Sequence, residues 1–357
     1  MVIPFIATLL VMSKHTALRV AVALIFAVGF LSVGGDLCAQ DVCPILPRMI
    51  ISPPHLNDDY RPLREMLRNP DQWKQCREYA DGISLFIGSL NKCSDDDLRM
   101  FFAAINEMNL TLELDSWAVK QFEPVGSKQF RAQKRMFDRY IACGAKIHTI
   151  YLDEPLNGAE KVGKDLAYCV KETADFIELL RKEYPDVLIG DTEAYPHFEA
   201  DVLIKWINDL QAELKRRNVR GLDFFRLDIN WSIFGREVKE SIFGKELKIN
   251  PEPRTGSWQD VVRIERHCRN INLPTSTIFW AANQGTLKRY GLVDEKTWYI
   301  GVMRMGDDYF EYGGKPDQLV FQSWIAIPTE ILPETKPFTF TNSFIDFCEK
   351  FLNYERP

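Results

Sequence analysis

The chain has 357 residues, a formal net charge of −6 and 12% aromatic residues. Lys and Arg total 44 against 50 Asp and Glu, with no long block of either sign, so nucleic acid and anionic membrane surfaces are poor partners.

The chain opens with an apolar run, VAVALIFAVGFLSV over residues 20–33, that is too short to span a bilayer comfortably. It follows Lys14 and Arg19 and precedes small residues, which is the layout of a secretory signal peptide. We therefore expect residues 1–40 to be a signal peptide cut near Ala39 or Gln40, although an uncleaved membrane anchor fits the same run. The first eleven residues are apolar where such a leader is usually charged, and Met12 would make a more usual start. The expected mature domain is 41–357, secreted or periplasmic, with no stable membrane partner after cleavage. Eight Cys occur, none in a Cys-x-x-Cys pair; without Cys38 an odd seven remain, and both disulfides and buried thiols stay open.

A Pro-rich stretch, 44–54, contains the short apolar run Met49 to Ser52, and helical material follows at 70–79. Strands are expected at 83–87, 110–114, 147–152, 187–189, 222–227, 277–280 and 319–322. Helical patterns fall between them at 95–108, 129–142, 164–183, 200–218, 257–270 and 294–312. A long loop from 328 leads to a closing helix at 343–352. Strands recur roughly every 30 to 50 residues, as βα units require. Alternating strand and helix means a parallel sheet covered by helices. Nearly every strand ends in a carboxylate, amide or Trp, which favours closure into one α/β domain, a (β/α) TIM-type barrel of seven or eight strands with its chemistry at one rim. An open sheet would gather ligands at one switch point instead. Met49–Ser52 is the best candidate for an eighth strand.

The strand ends carry the chemistry. Tyr151-Leu-Asp153-Glu154-Pro155 places Glu154 at a lip where Pro155 stops the strand. Adjacent acids on a strand point to opposite sides, so one of Asp153 and Glu154 is expected to face the centre. Gly190-Asp191-Thr-Glu193 repeats the arrangement on the next strand. Asp228, Asn230 and Trp231 follow on the strand after that, Asp228 and Asn230 sharing a face. Glu113 and Asp115 share a face on an earlier strand, Asn283 and Gln284 end a sixth, and Gln322 with Trp324 a seventh. Each acid could instead cap the next helix or pair with an Arg. Paired carboxylates are what glycosidic cleavage uses: one donates a proton to the leaving oxygen, the other attacks or activates water. We expect Glu154 to be the general acid, its pKa raised by acidic neighbours, with Glu193 or Asp228 as partner. Glu113, Asp115, Asp153, Asp191, Asn230, Asn283 and Gln284 are expected to bind substrate, as is Gln322, and Trp231 and Trp324 to stack on it. No nucleotide-binding glycine loop, His-Glu-x-x-His zinc spacing or Gly-x-Ser-x-Gly elbow occurs, so no cofactor or metal is expected.

In chain order, Leu152-Asp-Glu-Pro-Leu156, Cys169 in a helix, Ile189-Gly-Asp-Thr-Glu193, Phe224 to Trp231, Phe321-Gln-Ser-Trp324 and Leu332-Pro-Glu-Thr335 form a motif series. With it the chain resembles bacterial exported proteins of glycoside-hydrolase-like TIM-barrel type over about residues 83–344. The resemblance implies a barrel acting on sugars. It departs from the large clan of retaining barrels, which carries an Asn-Glu acid on strand four and a nucleophile on strand seven, because strand seven here ends in Gln322. The leading expectation is a secreted, monomeric hydrolase cleaving a polysaccharide or oligosaccharide. A non-catalytic carbohydrate-binding barrel is the second. A metal-dependent barrel lyase or isomerase is the third, disfavoured because no Lys is seen at a strand end to act as base.

Overall fold

The computed structural model describes residues 47–54, 60–120, 125–231, 234, 256–281, 294–323 and 327–352. Residues 1–40, Asn283, Gln284 and Trp324 lie outside them. Eight strands follow one another around the sheet: β1 Arg48–Ser52, β2 Gly82–Phe86, β3 Thr111–Ser116, β4 Ile147–Asp153, β5 Leu188–Tyr195, β6 Phe224–Ile229, β7 Thr275–Phe279 and β8 Gln318–Gln322. All neighbouring pairs are parallel, and β8 pairs back onto β1, closing the barrel. The eighth strand is the Met49–Ser52 run, extended by one residue at its start.

The helices are α1 Arg61–Arg68, α2 Lys74–Tyr79, α3 Ile87–Leu90, α4 Asp95–Glu107, α5 Gly126–Ala142, α6 Pro155–Lys161, α7 Leu166–Glu183, α8 Ala200–Arg216, α9 Trp258–Asn270, α10 Glu295–Glu311 and α11 Phe340–Leu352. Several start where a side chain takes an otherwise orphaned N–H: Ser94 accepts from Asp97, Asp165 from Tyr168, Ser257 from Asp260 and Asp294 from Thr297. The short α1, α3 and α6 have no long apolar period, and sequence patterning did not anticipate them. The six described cysteines are buried, unpaired thiols, so burial rather than cross-linking accounts for Cys76, Cys93, Cys143, Cys169, Cys268 and Cys348.

Strand alternation sorts the side chains into two sets. Leu112, Leu114, Ile150, Leu152, Leu227 and Phe321 point outward and are buried under the helices. Near the β7–β8 seam this outer core is aromatic, with Phe279 packed edge-on to Tyr309 at 5.1 Å and Phe321 near Phe347 at 5.4 Å. The inward set carries the polar groups, beside the apolar Ile50, Ile278 and Val320. Arg226 of β6, wholly buried on the axis, donates to Glu113 Oε2 (2.8 Å), Gln318 Oε1 (2.6 Å) and Ser276 Oγ (2.9 Å). Gln318 Nε2 donates in turn to Glu113 Oε1 at 2.7 Å. The guanidinium also lies over the Tyr151 ring at 4.2 Å and the Phe224 ring at 5.0 Å. One charge pair, hydrogen-bonded at every polar atom except Arg226 Nη1, thus fills the mid-barrel layer and ties β3, β6, β7 and β8 together.

That layer generates a stability prediction. Glu113→Gln strands the Arg226 charge in a dry interior and should cost about 3–5 kcal/mol, whereas Glu113→Met with Arg226→Met together should cost much less. Urea titrations of the two proteins check this; equal losses would mean the pair is not what holds the layer.

Candidate active site

The site begins where β4 stops. Glu154 has φ 48°, a left-handed conformation uncommon outside glycine, and it opens α6 with Pro155 behind it. Three contacts hold this turn: Glu154 N–H donates to Thr192 O (2.8 Å), Leu156 N–H to Glu193 Oε1 (2.9 Å), and Cys169 Sγ–H to Pro155 O (3.3 Å). The left-handed residue breaks strand alternation. As a result Asp153 and Glu154 do not face opposite ways as expected; both reach one ammonium. Lys120 Nζ lies 2.8 Å from Asp153 Oδ2 and 2.8 Å from Glu154 Oε2, so those oxygens are at most twice that distance apart. Asn157 Nδ2, one turn into α6, donates to Glu154 Oε2 at 2.6 Å.

Lys120 itself is placed by Gly158. A Cβ at Gly158 would sit 2.4 Å from Lys120 Cα and 2.9 Å from Val119 O, so α6 can rest on the Lys120 backbone only because that residue is glycine. Lys120 follows β3 by four residues. It does not end a strand, but the intervening Trp117-Ala-Val loop brings its side chain to the mouth acids.

Electrostatics separate the rim acids. Burial pushes Glu154 upward, but the Lys120 charge, its hydrogen bond and that of Asn157 outweigh burial and hold the carboxyl below its usual range. The expected rise at Glu154 is thus reversed, because a cation rather than another acid is its nearest charged neighbour. Asp228, inward-facing on β6, is pushed up to about 8 by burial and then by the Glu154 and Asp153 charges; Lys120 and the nearby Trp280 indole only partly offset this. Asp115 is raised well above the carboxylate range, by burial first and the Asp153 charge second. Asp153 is raised by burial and by Glu154, against the pull of Lys120. Lys120 would be lowered by burial, but Asp153 and Glu154 raise it further, so it stays an ammonium and cannot serve as a base.

Inward-facing positions on the C-terminal halves of the strands bring Asp115, Asp153, Asp228 and Gln322 to one mouth, with Glu154 at its lip. Asn230 is half-buried just past β6, its N–H donating to Tyr195 O at 2.7 Å. Four other expected site residues lie elsewhere. Glu113 faces inward but one layer deeper, with both oxygens taken by Arg226 and Gln318. Asp191 and Glu193 point out of the barrel, because Thr192, paired in register with Asp153, takes the inward place on β5. Asp191 Oδ2 accepts from Trp206 Nε1 of α8 at 2.7 Å, and Glu193 caps α6. Both have raised pKa values, by burial first: Asp191 to about 7 despite the Trp206 bond, and Glu193 well above its normal value, aided by Asp191. Trp231 is buried and its indole N–H is spent on Trp280 O at 3.0 Å, so it offers no stacking face. The indole beside the mouth is Trp280, whose N–H lies near enough to Asp228 to favour its charged form.

No family model and no curated protein matches this chain. Among solved structures it is similar to Xylanase10C from Cellvibrio japonicus, at 9% identity over 87% of this chain and 68% of that one, TM-score 0.49. It is similar to the catalytic domain of a hyperthermophilic chitinase from Pyrococcus furiosus, at 11% identity over 88% and 98%, TM-score 0.46. It is also similar to a D-psicose 3-epimerase, at 12% identity over 86% and 100%, TM-score 0.42. Likenesses this distant carry no argument about activity.

Removing the bridging cation tests the electrostatics directly. Lys120→Met should move the Glu154 titration upward, since burial is then opposed only by the Asn157 hydrogen bond and the Lys161 charge. Carboxyl-carbon NMR titration of the two proteins reads the shift, and an unmoved Glu154 would refute the assignment.

Proposed function

We propose that this protein is an exported glycoside hydrolase working as a monomer on a carbohydrate, with Asp228 as general acid and Glu154 as the ionised partner. The observation that carries the reading is the opposite displacement of two carboxyls at one mouth. Asp228 stays protonated to about 8, while Lys120 and Asn157 keep Glu154 an anion. Two acids pushed apart by their surroundings are the usual means of running acid and base chemistry together near neutral pH. In this reading Asp228 delivers its proton to the glycosidic oxygen as the C–O bond breaks. The Glu154 carboxylate then meets the positive anomeric carbon, either by bonding to it or by taking a proton from the attacking water. Lys120 holds Glu154 in place and balances Asp153. Thr192 and Glu193 position the Glu154 turn from behind.

This assignment exchanges the roles expected from sequence and leaves Glu193 outside the reacting pair. The lyase or isomerase alternative loses its base here, because Lys120 is locked as an ammonium between two carboxylates. Asp228→Asn keeps the shape and removes the proton; it should cost about 10²–10⁴ in rate on a natural glycan and far less on substrates with activated leaving groups. For the wild type, kcat/KM should fall as pH rises through about 8, where Asp228 deprotonates. It should also fall in acid, below the ordinary carboxylate range, where Glu154 is neutralised. A hydrolysis screen across a glycan library, followed by pH–rate profiles, checks this. Full activity of Asp228→Asn on an unactivated glycan would reject the acid assignment, and tight binding without turnover of any glycan would favour the non-catalytic barrel.

A further inference from the structure

The mouth contains more acceptors than its own groups can satisfy. Asp115 Oδ1 and Gln322 Oε1 are buried atoms without a hydrogen-bond partner, and the two residues are only 2% and 1% exposed. Burying such an oxygen unpaired costs free energy that a complementary ligand recovers. Among the described residues, the cation touching the mouth acids is Lys120, and it is spent on Asp153 and Glu154. Lys161 acts on the same two acids from α6, and Arg226, ion-paired with Glu113 a layer below, reaches Asp115 only through its charge, as Lys120 does. Asp115 therefore has no ion-pair partner of its own among the described residues. An ammonium has three donors and no acceptor, which is the complement of such a surface. An ammonium both fills such acceptors and favours the charged form of Asp115, which a neutral acetamide or hydroxyl does not.

We propose that the mouth selects an amino sugar, its protonated amine paired with Asp115 and its ring hydroxyls donating to Gln322. The proposal rests on the sugar-directed reading above and narrows its substrate class. Asp228 is left free for the leaving oxygen. In the unliganded protein Asp115 is held protonated by burial and by Asp153. Seating an ammonium beside it must expel that proton to solvent, so binding and proton release are coupled.

The test is calorimetric titration of the full-length protein with glucosamine oligomers, their N-acetylated counterparts and glucose oligomers of equal length. Each is run in two buffers of different ionisation enthalpy. The glucosamine series should bind at least about ten-fold tighter than either neutral series, an opposite-charge contact being worth that much, and it alone should release a proton. Asp115→Asn should remove both the preference and the proton release. Should that variant fold poorly, Gln322→Glu, which adds a carboxylate at the neighbouring inward position, should instead strengthen the preference. Equal affinity for charged and neutral oligomers overturns the amine proposal and leaves the sugar reading standing. Failure of all three series to bind overturns both. Displacement of bound glucosamine oligomer by millimolar Mg²⁺ or Ca²⁺ would mean the acids form a metal site, and it also overturns the proposal.

Discussion

Closure of the parallel sheet is the constraint from which the rest follows. Once β8 pairs with β1, each strand has an inside and an outside, and consecutive residues alternate between them. An acid at a strand end is then either a mouth group or a group behind the sheet, and one residue of register decides which. On β5 that choice sends Asp191 and Glu193 toward the helices and Thr192 toward the axis. On β3 and β6 the same rule brings Asp115 and Asp228 inward. The barrel tolerates a polar interior because its deepest charges, Arg226 and Glu113, are paired and hydrogen-bonded on nearly every side.

The exception to alternation is as informative as the rule. Glu154 escapes strand parity through its left-handed backbone, and the cost of that conformation, on the order of 1 kcal/mol or more, is met by contacts from β5 and α7. Strain held this way puts a carboxylate where strand geometry alone would not. The outward acid Glu193 has a part in it, since its carboxyl caps α6 and α6 carries both Asn157 and the glycine that seats Lys120. A residue behind the sheet thereby shapes the electrostatics in front of it.

Charge at the mouth is unevenly distributed, and that unevenness has chemical consequences. One ammonium shared by two neighbouring acids fixes one of them as an anion and leaves the more distant Asp228 to feel mainly burial and like charge. The division of labour between the acids therefore depends on where Lys120 sits. Without that cation, four carboxyls at one mouth would compete for protons and none would be assigned a role.

Much of the architecture was legible along the chain. The strand–helix alternation and the run Met49–Ser52 are local signals of burial and backbone bonding, which neighbouring residues determine. The rim position of Asp228 and Asp153 was legible too, because a polar residue ending an apolar strand has few other places to go. Lys120 was not legible: it lies past its strand in an unremarkable loop, and its meaning comes from acids 33 and 34 positions later in the chain. Nor could the sequence tell Asp191 and Glu193 from true mouth residues, since the pattern of acids is the same in either register. What the sequence by itself determined was which segments are strands and which ends are polar. Which way each acid points, and which of them keeps its proton, was decided by tertiary structure, because facing and pKa depend on neighbours brought in from other strands.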